Sequence, residues 1–118
     1  MEFKINNNIW KIIEKDDKSL LDKYYADCED EATYAFGVCI YPEHEIWINK
    51  NMCMDQKIKT LKHELTHCYI WNYGLYNVPS FTEEMVCDLV SSINDFINMV
   101  IVEYRENLIT RSKENGIT

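Results

Sequence analysis

The sequence is poor in glycine and proline, with three Gly and two Pro among 118 residues. It therefore contains no Gly- or Pro-rich linker, and it shows no internal repeat and no low-complexity segment. A chain of this length without a linker fits one domain, which we assign to residues 1–118. The hydrophobic fraction of 47% is large enough for a core and argues against disorder.

Paired cysteines, excess positive charge and long apolar runs are also missing. The five cysteines are odd in number and form no CxxC pair, which argues against a disulfide scaffold or a zinc knuckle. The net charge of −8 argues against nucleic-acid binding, because that requires cations to neutralise phosphates. No uncharged apolar run approaches the ~18 residues of a membrane span. The N-terminus lacks the layout of a secretory signal, so we expect a cytoplasmic protein that does not contact a membrane.

The first half of the chain predicts two hairpins and a short helix. Asn6, Asn7 and Asn8 separate two short apolar runs, and asparagine tolerates the positive φ of a tight turn. A helical stripe follows from Leu20 to Cys28, with Asp16 or Asp17 as its cap. Residues 33–41 and 46–48 then form strands around a turn that starts at Pro42.

The second half predicts two helices. The first is capped by Asp55, carries a stripe from Ile58 to Asn72 and ends near Gly74. The second begins at about Thr82, its N-cap, and its apolar stripe continues beyond residue 95. We therefore expect an α+β fold in which a three- to four-stranded sheet packs on the first of these helices and on a long C-terminal helix.

The motif His63-Glu64-Leu65-Thr66-His67 lies in the first of these two helices and holds two of the three histidines of the chain. Residues four apart share a helix face, so His63 and His67 can both direct a ring nitrogen toward one Zn²⁺ ion. Glu64 lies about 100° around the helix, where it is better placed to contact a water on the metal than to be a ligand. Because zinc lowers the pKa of such a water to about 7, Glu64 is predicted to be the catalytic base.

A catalytic zinc needs a third protein ligand, and the best candidate is at the start of the last helix. Glu84 is favoured over the neighbouring Glu83, because Asp88 lies four residues further on the same face. Asp88 can receive the second ring N–H of a zinc-bound histidine and so orient it. His44, on the turn of the second hairpin, is expected to be solvated and not to be a ligand.

Together, these motifs resemble the gluzincin metallopeptidases, in which a glutamate on the next helix completes the HExxH site. The order of hairpin, IWIN strand, HELTH helix and EExxCD helix is similar to compact ImmA/IrrE-type and phage-borne zinc peptidases. The likeness covers residues 3–95, which leaves 95–118 as a helical extension. It implies a zincin-like fold with one Zn²⁺ per chain, held by His63, His67 and Glu84. It also implies Glu64 as base, and Asp88 as the residue that orients a histidine ligand.

The same resemblance implies an endopeptidase whose substrate, an extended polypeptide, adds to an edge strand within residues 35–41. There Gly37 allows a close backbone approach or marks a bulge. Tyr73, Tyr76 and His44 are candidates for stabilising the oxyanion, and none is favoured.

Two other functions remain open. One is a zinc-stabilised protein-interaction module of the same fold, against which the intact Glu64 argues. The other is a peptide deformylase-like hydrolase with Cys39 or Cys53 as third ligand. The apolar stripe beyond residue 95 must also be covered. It either packs on the sheet or pairs with a second chain in a homodimer.

Overall fold

The computed structural model describes residues 1–24, 35–75 and 82–114, which form an α+β structure. In chain order the strands and helices are β1 (Glu2–Ile5), β2 (Asn8–Lys15), α1 (Asp17–Tyr24), β3 (Gly37–Ile40), β4 (Glu45–Asn49), α2 (Met54–Asn72) and α3 (Glu83–Glu114). The expected α+β class and the strand count are confirmed, because the sheet has four strands.

The sheet is mixed, with the strand order β1-β2-β4-β3. Strands β1 and β2 form the first predicted hairpin, and its turn holds Asn6 and Asn7 at φ 47° and 64°. Strands β3 and β4 form the second. The two hairpins join through parallel pairing of β2 with β4, in which Ile12 lies opposite Ile46. This order leaves β1 and β3 as the two edges of the sheet.

Helices α2 and α3 cover one face of the sheet. Trp10 and Ile12 of β2 are buried there with Leu61 and Leu65 of α2 and Val100 of α3. The predicted stripe of the C-terminal helix therefore packs on the sheet, which is one of its two expected outcomes. Pairing with a second chain stays a prediction.

Glu14, near the end of β2, contacts both helices of this layer. Its Oε1 accepts hydrogen bonds from Lys57 Nζ of α2 at 2.7 Å and from Tyr104 OH of α3 at 3.1 Å. Lys57 and Glu14 are each 13% exposed, so neither charge is well solvated. A largely desolvated charge that loses its partner is costly, and Glu14 therefore helps to hold α2 and α3 on the sheet.

The helix ends follow the predicted signals in most cases. Asp16 caps α1 by accepting a hydrogen bond from Ser19 N at 2.8 Å. Gly74 ends α2 at φ 71°, and Thr82 Oγ1 caps α3 by accepting from Met85 N at 3.2 Å. The prediction for Asp55 is wrong: α2 starts after Cys53, which makes no side-chain cap hydrogen bond. Asp55 lies instead in the first turn, where a carboxylate favours the helix dipole. The predicted end of the first helix at Cys28 lies outside the described residues.

Helix α3 also qualifies the exclusion of a membrane span. By length and composition alone, Glu84–Arg111 is apolar enough to cross a membrane, with a mean hydropathy of 1.5. Only 17% of its most apolar 18-residue stretch is buried. Asp88 and Asp95 interrupt the apolar sequence of this helix, and for that reason the sequence contains no long uncharged apolar run.

Candidate functional site

Helix α2 brings His63 and His67 together. Their Nε2 atoms lie 3.2 Å apart and their ring centroids 4.9 Å apart. His67 is exposed at its outer side, and the partial desolvation of its inner side, and secondarily the proximity of His63, lowers its pKa. Both effects favour the neutral imidazole, which is the form that binds metal.

The spacing of these two nitrogens fits one zinc ion. With Zn–N bonds of 2.0–2.1 Å and tetrahedral angles, two imidazole nitrogens on the same ion are about 3.3 Å apart. The observed 3.2 Å matches this edge length, so the pair can bind zinc without a change in the course of α2. A direct N–H···N hydrogen bond between the two rings, with no metal between them, would have the same length.

Glu64 is buried beside the histidine pair, with 7% of its surface exposed. Burial raises the pKa of its carboxyl group to about 7. Within the described ranges, its carboxylate makes no hydrogen bond. A carboxylate with this pKa accepts and returns a proton easily near neutral pH, as a general base must.

These three residues line a cavity of about 180 Å³ between α2 and β3. Its other described lining residues are Val38, Cys39 and Tyr41, and we call it the histidine cavity. A Cβ atom on Gly37 would lie 2.8 Å from Thr60 Cγ2 and 2.9 Å from the Trp47 carbonyl oxygen. Gly37 therefore allows β3 to pack closely against α2 and β4, and this accounts for the glycine without a bulge.

Aromatic rings continue from the histidine cavity along α2. Tyr41 stacks on Trp71 with 5.6 Å between ring centroids and an interplanar angle of 10°. Burial raises the pKa of the Tyr41 phenol, and Cys39 and Glu64 add to the shift. His44 stacks on Trp10 at 4.9 Å and is half-buried, so the expectation of a solvated turn histidine is wrong.

Sequence reasoning missed Tyr41 as a residue of this site. The signal was the alternation of Gly37, Cys39 and Tyr41, which places all three on the face of β3 that meets α2. The register agrees for the first two, because Gly37 and Cys39 lie opposite the buried Ile48 and Ile46 of β4. The stacking of Tyr41 on Trp71 places its ring against α2.

Glu84 and Asp88 are exposed on α3 and do not line the histidine cavity. Asp88 lines a second cavity of about 320 Å³, which we call the tyrosine cavity; its lining includes Tyr69, Tyr73, Met85, Leu89 and Ser92. On α2, position 69 lies about 200° around the helix from His67, so the two cavities lie on different sides of α2.

Consequently, the structure brings His63, Glu64 and His67 together without Glu84 and Asp88. Across residues 1–24, 35–75 and 82–114, no group of three His, Cys, Asp or Glu side chains is arranged to hold a metal. Tyr76 lies outside these ranges, as does the rest of the link between α2 and α3. Ligation by Glu84 and the orienting role of Asp88 therefore stay predictions.

Comparisons with protein-family models, with curated proteins and with solved structures found no match to this chain.

Proposed function

We propose that the protein is a zinc-dependent endopeptidase of zincin-like fold that cleaves extended polypeptides. The observation that supports this is the pair of Nε2 atoms 3.2 Å apart beside the buried Glu64, on a cavity at the edge of the sheet. A histidine pair without function would not need an adjacent buried carboxylate, whose desolvation is unfavourable.

The proposed chemistry is hydrolysis. His63 and His67 would hold the zinc ion, which when bound would supply a water with a pKa of about 7 and polarise a carbonyl group. Glu64 accepts a proton from the attacking water, whose oxygen adds to the carbonyl carbon while the π electrons move to the carbonyl oxygen. Glu64 then donates this proton to the amide nitrogen as the C–N bond breaks. The products are a new carboxyl end and a new amino end.

Strand β3 supports the choice of an extended substrate. One of its edges is hydrogen-bonded to β4, and the other has no strand partner among the described residues. A free strand edge binds an extended peptide through main-chain hydrogen bonds. Because Val38 and Cys39 line the histidine cavity, a peptide paired with β3 would pass beside His63 and Glu64.

Cys39 supports a second candidate, a deformylase-like hydrolase in which a thiolate is the third ligand. Cys39 lines the histidine cavity, whereas Cys53 is exposed at the start of α2, ten residues before His63. A thiolate and two imidazoles are a normal ligand set for catalytic zinc. Burial raises the pKa of the Cys39 thiol, however, so forming the thiolate would require the metal.

The test compares the zinc-loaded wild type with Glu64→Gln, which keeps the shape of the side chain and removes the base. We expect equal zinc content and a cleavage rate lower by about 10²- to 10⁴-fold in the variant. Cleavage is read by mass spectrometry on a denatured proteome, and N-formylated peptides are included to detect deformylation. Ser92→Ala, in the tyrosine cavity, is the matched control and should cleave like the wild type.

Three outcomes would redirect the proposal. Equal cleavage by wild type and Glu64→Gln would identify a contaminating protease. Release of formate without cleavage of peptide bonds would favour the deformylase-like hydrolase. Zinc binding without any hydrolysis would favour the interaction module.

A further inference from the structure

Tyr41 carries a phenol and is one of the residues that line the histidine cavity. It follows the last residue of β3 and continues the alternation of Gly37 and Cys39, so its side chain faces α2. The side chain is half-buried. In the part of the chain that the structure describes, its hydroxyl group has no hydrogen-bond partner.

Ring packing holds the side chain of Tyr41 against α2. Tyr41 stacks on Trp71 at 5.6 Å, and Trp71 in turn meets the buried Trp10 edge-on at 6.1 Å. Trp71 lies on α2 one turn after His67, so the phenol and the histidine pair are positioned by the same helix. Because stacking holds the ring, the O–H group remains available to a ligand.

We propose that Tyr41 is a catalytic residue that donates a hydrogen bond to the scissile carbonyl oxygen as it becomes an oxyanion. This inference rests on the proposed function. The other described candidates are placed less well, because Tyr73 lines the tyrosine cavity and the His44 ring stacks on Trp10. A donor fixed before the reaction stabilises the developing charge without reorganisation.

The experiment uses Tyr41→Phe, which keeps the stacking ring and removes only the hydroxyl group, with Tyr73→Phe as matched control. Zinc content is measured first. Turnover is then measured on one polypeptide cleaved by the wild type. Calorimetry measures binding of a phosphinic peptide of the same sequence, whose tetrahedral phosphinate oxygens mimic the oxyanion. Binding of the uncleaved polypeptide is measured in the Glu64→Gln background.

In Tyr41→Phe, we expect kcat to fall about 100-fold or more, with KM and zinc content within about two-fold of the wild type. Phosphinic-peptide affinity should fall by a similar factor, and affinity for the uncleaved polypeptide should not change. Tyr73→Phe should match the wild type throughout. A kcat and a phosphinate affinity within two-fold of the wild type, with Glu64-dependent cleavage intact, would overturn the role of Tyr41 and leave the proposed function standing. Absence of zinc or of Glu64-dependent cleavage in the wild type would overturn both.

Discussion

The two cavities beside α2 differ in chemistry although the same helix lines both. The histidine cavity adjoins the edge of the sheet and holds two imidazoles and a buried carboxylate. The tyrosine cavity lies between α2 and α3, is larger, and has mainly apolar walls, with the exposed Asp88 among its lining residues. Size alone would select the tyrosine cavity as a binding site. The grouped titratable side chains are instead the reason for proposing the histidine cavity as the reactive site.

The two cavities also differ in which neighbouring element the face of α2 meets. The 19 residues of α2 place the HExxH histidines toward β3 and the rings of Tyr69 and Tyr73 toward α3. A third ligand from α3 must therefore reach the histidines around α2, whereas a ligand from β3 is already beside them. Substitutions on each side of α2 can therefore show which side supplies the third ligand.

The largest expected effect is the loss of metal when the third ligand is removed. We predict that Glu84→Ala lowers zinc affinity by more than about 100-fold, because even residues that only orient a ligand contribute 10- to 100-fold. Glu83→Ala and Cys39→Ser should stay near the wild type, as measured by competition with a chromogenic chelator. A large loss in Cys39→Ser, with normal binding by Glu84→Ala, would place the third ligand on β3.

The next effect concerns the carboxylates of the two cavities in metal-free protein. Because burial raises the Glu64 pKa from 4.5 to about 7, folding favours its protonated form, so its contribution to stability is present at low pH and is lost as pH rises through about 7. Glu64→Gln should remove this loss, which amounts to at most about 3 kcal/mol. Urea unfolding at pH 5 and pH 8, with a chelator present, measures it.

Two features of the measurement isolate Glu64. The lowered pKa of His67 makes the stability of the folded protein increase with pH, which is opposite to the effect of Glu64. Because both proteins contain His67, this contribution cancels to first order in the difference between wild type and Glu64→Gln. Asp88→Asn, at an exposed position of the tyrosine cavity, is the control substitution. The prediction is wrong if Glu64→Gln shows the same loss between pH 5 and pH 8 as the wild type.

The smallest effect distinguishes two glycines, one near each cavity. Gly37→Ala places a methyl group against Thr60 and the backbone of Trp47 and should cost about 1–3 kcal/mol. It should also weaken zinc binding, because β3 must move from α2. Gly74→Ala meets no atom within 4 Å and should cost only about 1 kcal/mol, from its φ of 71°. Urea unfolding and zinc titration compare the stability and the zinc affinity of the two variants. Equal effects of the two substitutions on zinc affinity would contradict the prediction that zinc binding requires β3 to pack on α2.

Local signals allowed much of this structure to be predicted. The Asn6–Asn7 turn, the glycine stop of α2 and the Thr82 cap depend on a few neighbouring residues. The shared face of His63 and His67 follows from helix periodicity alone. Each of these predictions concerned atoms that are close in the sequence.

Contacts between residues that are distant in the sequence could not be predicted from such local signals. The parallel pairing of β2 with β4 brings residues 12 and 46 together, and nothing in either hairpin alone specifies it. The placement of Asp88 depends on which side of α2 the helix α3 packs against. Tyr41 was overlooked for the same reason, since its place in the histidine cavity depends on how β3 meets α2.

The length of β3 limits what the proposed enzyme can recognise. The strand has four residues, which at about 3.3 Å per residue extend over roughly 13 Å. It can therefore pair with about four substrate residues at once. Such a short contact contains little sequence information, and its main-chain hydrogen bonds are available only to a segment that has none of its own. Selection should thus depend on local unfolding of the target more than on its amino-acid sequence.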